Sequence, residues 1–184
     1  MPMETNPPVL LPPGADTNAL FLAEARATLA GSRTKVVHCL QQLSEPDCTW
    51  RPAESQNSIQ NIILHLCGNL TQWILHGIGG APDHRDRPAE FADRRPRSST
   101  ELATQLTDVV LQCDQVLAAL PGSRLRERTC IQGFEVTLLG AIFEAVSHFV
   151  GHQHQIVYIT RWRLGDRYQF EWSPETPAQG APTA

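Results

Sequence analysis

Lysine is almost missing from this chain: Lys35 is the single one among 184 residues, and arginine supplies the rest of the positive charge. No Lys/Arg stripe marks any segment, and the formal charge is −4, which argues against a nucleic-acid binder. Cysteine is sparse too. Cys39, Cys48, Cys67, Cys113 and Cys130 are odd in number and show no C-x-x-C spacing. That excludes a fully paired disulfide framework and fits a reducing cytoplasm, with free cysteines acting as small hydrophobes. The longest apolar run falls far short of the roughly 20 residues of a membrane span. The start, Met1-Pro2-Met3-Glu4, has no basic region followed by an apolar run, so no signal peptide is expected. Several catalytic motifs are absent as well. Phe149 follows His148 where a zincin needs Glu, no paired Glu-x-x-His occurs, and Gly79-Gly80 lacks the rest of a phosphate-binding fingerprint.

What is present reads as four helical segments in one domain, with an N-terminal arm over residues 1–15 and a tail over 173–184. The arm is Pro-rich and expected to be disordered or draped; the tail is Pro/Ala/Thr-rich and expected to be disordered. The first helix begins at Asp16 or Thr17 and runs to about Leu43, its apolar residues (Leu22, Ala25, Leu29, Val36, Leu40) at helical spacing. A loop with Pro46 and Pro52 follows. The second helix spans Asn57 or Ser58 to about His76, where Gly77, Gly79 and Gly80 end it. A connection over 77–98 leads to a capping box, Ser98-Ser99-Thr100-Glu101, which opens the third helix, ending near Leu120. The fourth runs from about Thr137 to Leu164, with Gly165 at its C-cap. These lengths predict an all-α four-helix bundle. The long 77–98 link can return along the bundle, which predicts an up-down-down-up order with a crossover between the second and third helices.

Three histidines carry the chemistry. His148 and His152 lie four apart in the fourth helix, a spacing that stacks side chains on one face about 5–6 Å apart. His65 lies in the second helix, about 10 Å from one end of the bundle, and His148 about 16 Å from the opposite end. In antiparallel helices they meet at similar height. Three protein ligands with an open fourth position is the pattern of a catalytic zinc site. Glu144 and Gln155 share the His148/His152 face and are candidates to orient an imidazole or a bound water; Gly151 leaves room for substrate. The alternative is a metal-free core in which each histidine bonds to a neighbour. Asn61, His65, Asn69, Gln72 and His76 form a polar stripe within about 80° of the helix circumference. For Gln72 and His76 a solvated face is the expectation. His154 lies about 200° from His152 and is not expected to share its ion. Arg51, before the second helix, is a candidate for an anionic group or for a surface salt bridge.

Several stretches together resemble the DinB-like superfamily, nearest to an uncharacterised bacterial branch. They are Trp50-Arg51-Pro52, Asn57-Ser58-Ile59, Ile63-Leu64-His65-Leu66-x-Gly68-Asn69-Leu70, Arg85-Asp86-Arg87-Pro88-Ala89-Glu90-Phe91, Ile131-Gln132-Gly133-Phe134-Glu135-Val136-Thr137 and His148-Phe149-x-x-His152-x-x-Gln155-Ile156. The similarity spans roughly residues 20–172. It implies an up-down-down-up bundle, often a homodimer, with zinc or nickel held by His65, His148 and His152. Relatives with an assigned activity imply a metal-activated low-molecular-weight thiol, as in S-transferases and a thiol-dependent isomerase. One departure is His154, where the resemblance leads us to expect glycine. The resulting expectation is a cytoplasmic metal-dependent thiol S-transferase or related hydrolase acting on a small molecule. The alternative is a non-enzymatic metal-binding stress-response or interaction module.

Overall fold

The computed structural model describes Gly14 and residues 16–171. The remaining arm residues and the 173–184 tail lie outside the described residues. The fold is mostly helical, as the periodicity predicts: α1 (Thr17–Gln41), α2 (Glu45–Thr49), α3 (Ile59–Leu70), α4 (Arg87–Ala92), α5 (Ser99–Ala119) and α6 (Leu138–Leu164). The α1 helix packs on α5 and α6, and α3 packs on the same two helices. Their inward residues, among them Leu29, Leu40, Ile63, Leu66, Leu106 and Phe149, form one buried core. Burial of each such side chain contributes about 1.5–3 kcal/mol.

Start signals set the helix registers. Ser58, Ser98 and Thr137 each accept a backbone N–H three residues on, and Ser58 and Ser98 complete reciprocal capping boxes. At the other end of α6, Gly165 takes φ +54°, which costs glycine little. No helix among the described residues is long and apolar enough to cross a membrane.

Four features differ from the sequence expectation. The Pro46 loop contains α2, opened by a Ser44–Asp47 capping box with Pro in its first turn. Arg163 of α6 pins this turn through Asp47 Oδ1, at 3.0 Å from Nε and 2.8 Å from Nη2. The helix read to His76 is α-helical only to Leu70; Thr71–His76 is π-helical, with Gly77 N–H donating to the Gln72 carbonyl five residues back. The 77–98 connection contains α4. Finally, the second connection is not purely helical: strands β1 (Arg128–Ile131) and β2 (Phe134–Thr137) pair antiparallel. Gln132 and Gly133 join them, both at positive φ, as a two-residue primed turn requires. Four-residue strands carry too little alternation to stand out beside a helical period. The hairpin seats Ile131 against Gly77, where an added Cβ would collide with the isoleucine. It then feeds directly into the Thr137 cap of α6.

Candidate metal centre

The Ser58 cap fixes the phase of α3 and so turns His65 toward α6, where it is 4% exposed. His148 and His152, one turn apart on α6, meet it from the other side and are half-buried. Ring centroids are 5.1 Å apart for His65–His148, 5.1 Å for His65–His152 and 4.5 Å for His148–His152. One nitrogen from each ring lies within 4.8 Å of the other two. His65 Nε2 and His148 Nε2 are only 2.9 Å apart. Two lone pairs at that distance repel, so a shared proton or cation belongs between them.

The surroundings keep the α6 imidazoles neutral. Burial lowers the His148 pKa to about 4, helped by His152, His65 and the guanidinium groups of Arg85 and Arg87. Burial also lowers His152, with the His65 charge adding to it and the bond to Gln155 opposing it. Neutral imidazole is the form that binds metal. His152 Nδ1 lies 2.8 Å from Gln155 Oε1 and donates to it, leaving Nε2 free. Glu144 is exposed and bonds to neither histidine through its carboxylate.

On the α3 side, His65 Nδ1 lies 2.9 Å from Glu90 Oε2. Glu90 is bound in turn by Arg85, Nε to Oε1 at 2.7 Å and Nη2 to Oε2 at 3.0 Å. Burial works to raise the Glu90 pKa, but the bonds from His65 and Arg85 outweigh it and hold the carboxyl below its usual value. Phe91 packs against the His65 ring, with centroids 4.8 Å apart and planes tilted by 34°, and the Arg87 guanidinium lies 5.1 Å over the Phe91 ring. Asn69, one turn beyond His65, is buried and its Oδ1 has no protein partner. A buried acceptor left without a protein partner is where an ordered water is expected. Three imidazoles of this spacing, two of them held neutral, suit a metal ion, and among the described residues no fourth histidine, cysteine or carboxylate joins the group.

The polar stripe that runs along α3 and the π-helical turn after it is not a solvated face. Asn61 is buried and donates to the carbonyls of Glu90 (2.9 Å), Phe91 (3.4 Å) and Asp93 (3.1 Å), closing the end of α4. Gln72 accepts from Arg85 at 3.0 Å, and His76 Nδ1 donates to the Ala81 carbonyl at 2.6 Å. Both are half-buried under the connection. Arg51 is half-buried as well and forms no ion pair among the described residues. His154 is exposed and bonds to the Val150 carbonyl at 2.8 Å, away from the cluster. Sequence reasoning missed the roles of Arg85, Glu90 and Phe91. The Asp86-Arg87-Pro88 start was a legible helix signal, but its contact with His65 spans 25 residues and exists only in the folded chain.

Comparison with known proteins agrees with this architecture. A conserved protein of Enterococcus faecalis superposes with a TM-score of 0.62 at 18% identity, covering 76% of this chain and 94% of that one. A DinB-like protein of Bacillus cereus gives 0.62 at 14% identity over 79% and 91% of the two chains. A DinB-like protein of Bacillus subtilis gives 0.61 at 14% identity over 82% and 99%. At these identities the likeness establishes the fold. No curated protein matches the chain. The family model described as a protein of unknown function, DUF1572, matches residues 16–173, so the chain belongs to that family and has the DinB-like fold.

Proposed function

We propose that His65, His148 and His152 bind one divalent ion, zinc or nickel, and that the protein is a metal-dependent thiol S-transferase or related hydrolase. The observation that carries this reading is a group of three imidazoles with no fourth protein ligand among the described residues. Such an ion supplies one kind of chemistry, the acidification of a thiol or water near neutral pH. The chain's own part is to hold the ligands and shape the approach. Gln155 orients His152 through Nδ1, and Phe91 covers His65. At Gly151, on the outer side of α6, an added Cβ would meet nothing within 4 Å, which leaves that side open.

The thiol comes from outside the chain in this reading. Cys67, two residues from His65, is pushed up to about 12 by burial and the nearby Glu90 charge. Cys113 is likewise raised to about 12, and Cys48 to about 11, so these thiols stay protonated and unreactive. A low-molecular-weight thiol is the substrate we propose. We read the four long helices as an up-down-down-up bundle acting as a cytoplasmic homodimer.

The test is elemental analysis of protein purified without chelator or nickel affinity resin, beside His65→Ala and His152→Ala. The expected result is about one zinc or nickel per chain, lost in both variants. No metal in any sample, even after supplementation, would overturn the reading and leave three packed core histidines.

A further inference from the structure

We propose that Glu90, clamped by Arg85, is a positioning residue that fixes the tautomer and ring orientation of His65, so that the 77–98 connection forms one wall of the three-histidine centre. The inference takes its purpose from the metal-binding reading, but its first test needs no metal.

The tautomer follows from donors and acceptors. Arginine stays charged in proteins, and Arg85 places two N–H groups on the two Glu90 oxygens. A carboxylate so paired is an acceptor only. Its 2.9 Å contact with His65 Nδ1 therefore needs a proton on Nδ1. Arg85 Nη2 also approaches Nδ1, at 3.1 Å. A bare Nδ1 accepting from Arg85 would leave two acceptors, Nδ1 and Oε2, facing each other at 2.9 Å, so the Nδ1–H form is the one the geometry allows. Nε2 then presents its lone pair toward His148 and His152. Glu90 and Arg85 together add no net charge, and the negative end of the pair faces Nδ1, which holds the ring with Nε2 turned toward the two α6 histidines.

The clamp is built into the fold rather than draped over it. The side chains of Arg85 and Glu90 are 3% and 10% exposed. Arg85 Nη1 donates to Gln72 Oε1, and Gln72 also donates to Asp83. Asn61 ties the far end of α4 to α3 through three carbonyls. Gly68, on α3 one turn short of Gln72, completes the fit. A Cβ there would overlap Glu90 Oε1 and stand 3.1 Å from Arg85 Nε. Glu90 has a flexible side chain and could retreat, but only by leaving His65 and Arg85. Gly68 is thus the residue that lets the carboxylate reach the imidazole.

Two-bond nitrogen–proton NMR on the metal-free protein reads the His65 tautomer directly. We expect Nδ1–H in the wild type and a mixed population in Glu90→Gln and Gly68→Ala. Zinc affinity, measured by chelator competition, should fall about ten- to a hundredfold in both variants. Gly68→Ala keeps every polar group, so it guards against Glu90→Gln failing to fold around an unpaired Arg85. An Nε2–H tautomer in the wild type would overturn the proposal, as would zinc affinity within twofold of wild type in both variants. If the wild type binds no zinc, the metal reading fails, and the tautomer alone then decides whether Glu90 holds His65.

Discussion

Two helices contribute to the three-histidine cluster, and they hold their imidazoles in different ways. On α3, His65 is enclosed by Glu90, Arg85 and Phe91, and Gly68 is glycine because neighbouring atoms occupy the place of a side chain. On α6, His148 and His152 are half-buried, Gln155 is, among the described residues, the one side chain that bonds to either outside the cluster, and Gly151 faces open space. The same amino acid is thus compelled at one position and unforced at the other. The contrast teaches that one wall of the site is preorganised by tertiary structure, while the other is a plain helix face left accessible.

Removing the cation from the enclosed wall should give the largest effect. Arg85→Met leaves Glu90 buried beside His65 without its charge partner, a loss of about 3–5 kcal/mol. For a domain of this size, melting of the metal-free protein should drop by about ten degrees. Gln155→Ala on the open wall removes one exposed bond and should cost no more than about 1 kcal/mol. Equal losses from the two variants would erase the distinction between the walls.

Asn61→Ala comes next. It leaves carbonyls at the end of α4 without their buried donor, at about 1–3 kcal/mol. Amide hydrogen exchange over residues 86–93 should accelerate ahead of the core helices. Unchanged exchange there would mean that the connection is held by something other than the α3 polar stripe.

Acid should act on the open wall. An unfolded histidine takes up its proton near pH 6.5, whereas folded His148 does so only near pH 4. Between those values the unfolded chain binds more protons, so stability falls as pH drops from about 6.5 to about 4. In the metal-free protein this should appear as a few degrees of melting temperature, of order 2–4 degrees per kcal/mol. His148→Gln should flatten that part of the profile. A variant that tracks the wild type through this window would assign the acid sensitivity to other groups.

Much of this contrast was legible in the sequence, but unevenly. The helix caps at Ser58, Ser98 and Thr137 and the His148/His152 pair follow from local rules, because capping and i, i+4 spacing are short-range, whereas the meeting of His65 with that pair follows from matching heights on antiparallel helices. The enclosed wall was not legible in the same way. Asn61, Gln72 and His76 are polar residues on a helix, and polarity alone does not distinguish water from a covering segment as the partner. Glu90 resembled any surface glutamate until α4 docked. The β1–β2 hairpin escaped for a different reason: Gln132-Gly133 is not one of the strong hairpin dipeptides, and strands of four residues add little periodicity around it.

The smallest prediction concerns Gly151 and has the opposite sign to the rest. A glycine inside a helix costs roughly 0.5–1 kcal/mol relative to alanine, through backbone entropy. At Gly151 an added Cβ meets nothing within 4 Å, so no steric term offsets that gain. Gly151→Ala should therefore raise the melting temperature of the metal-free protein by about 1–4 degrees and leave its zinc content unchanged. Gly68→Ala, one substitution of the same kind across the site, should weaken zinc. Loss of stability or metal in Gly151→Ala would show that α6 is as constrained as α3. If the stabilised variant keeps its ion but takes up a small thiol less readily, then α6 forgoes helix stability at Gly151 to keep the approach to His148 and His152 clear.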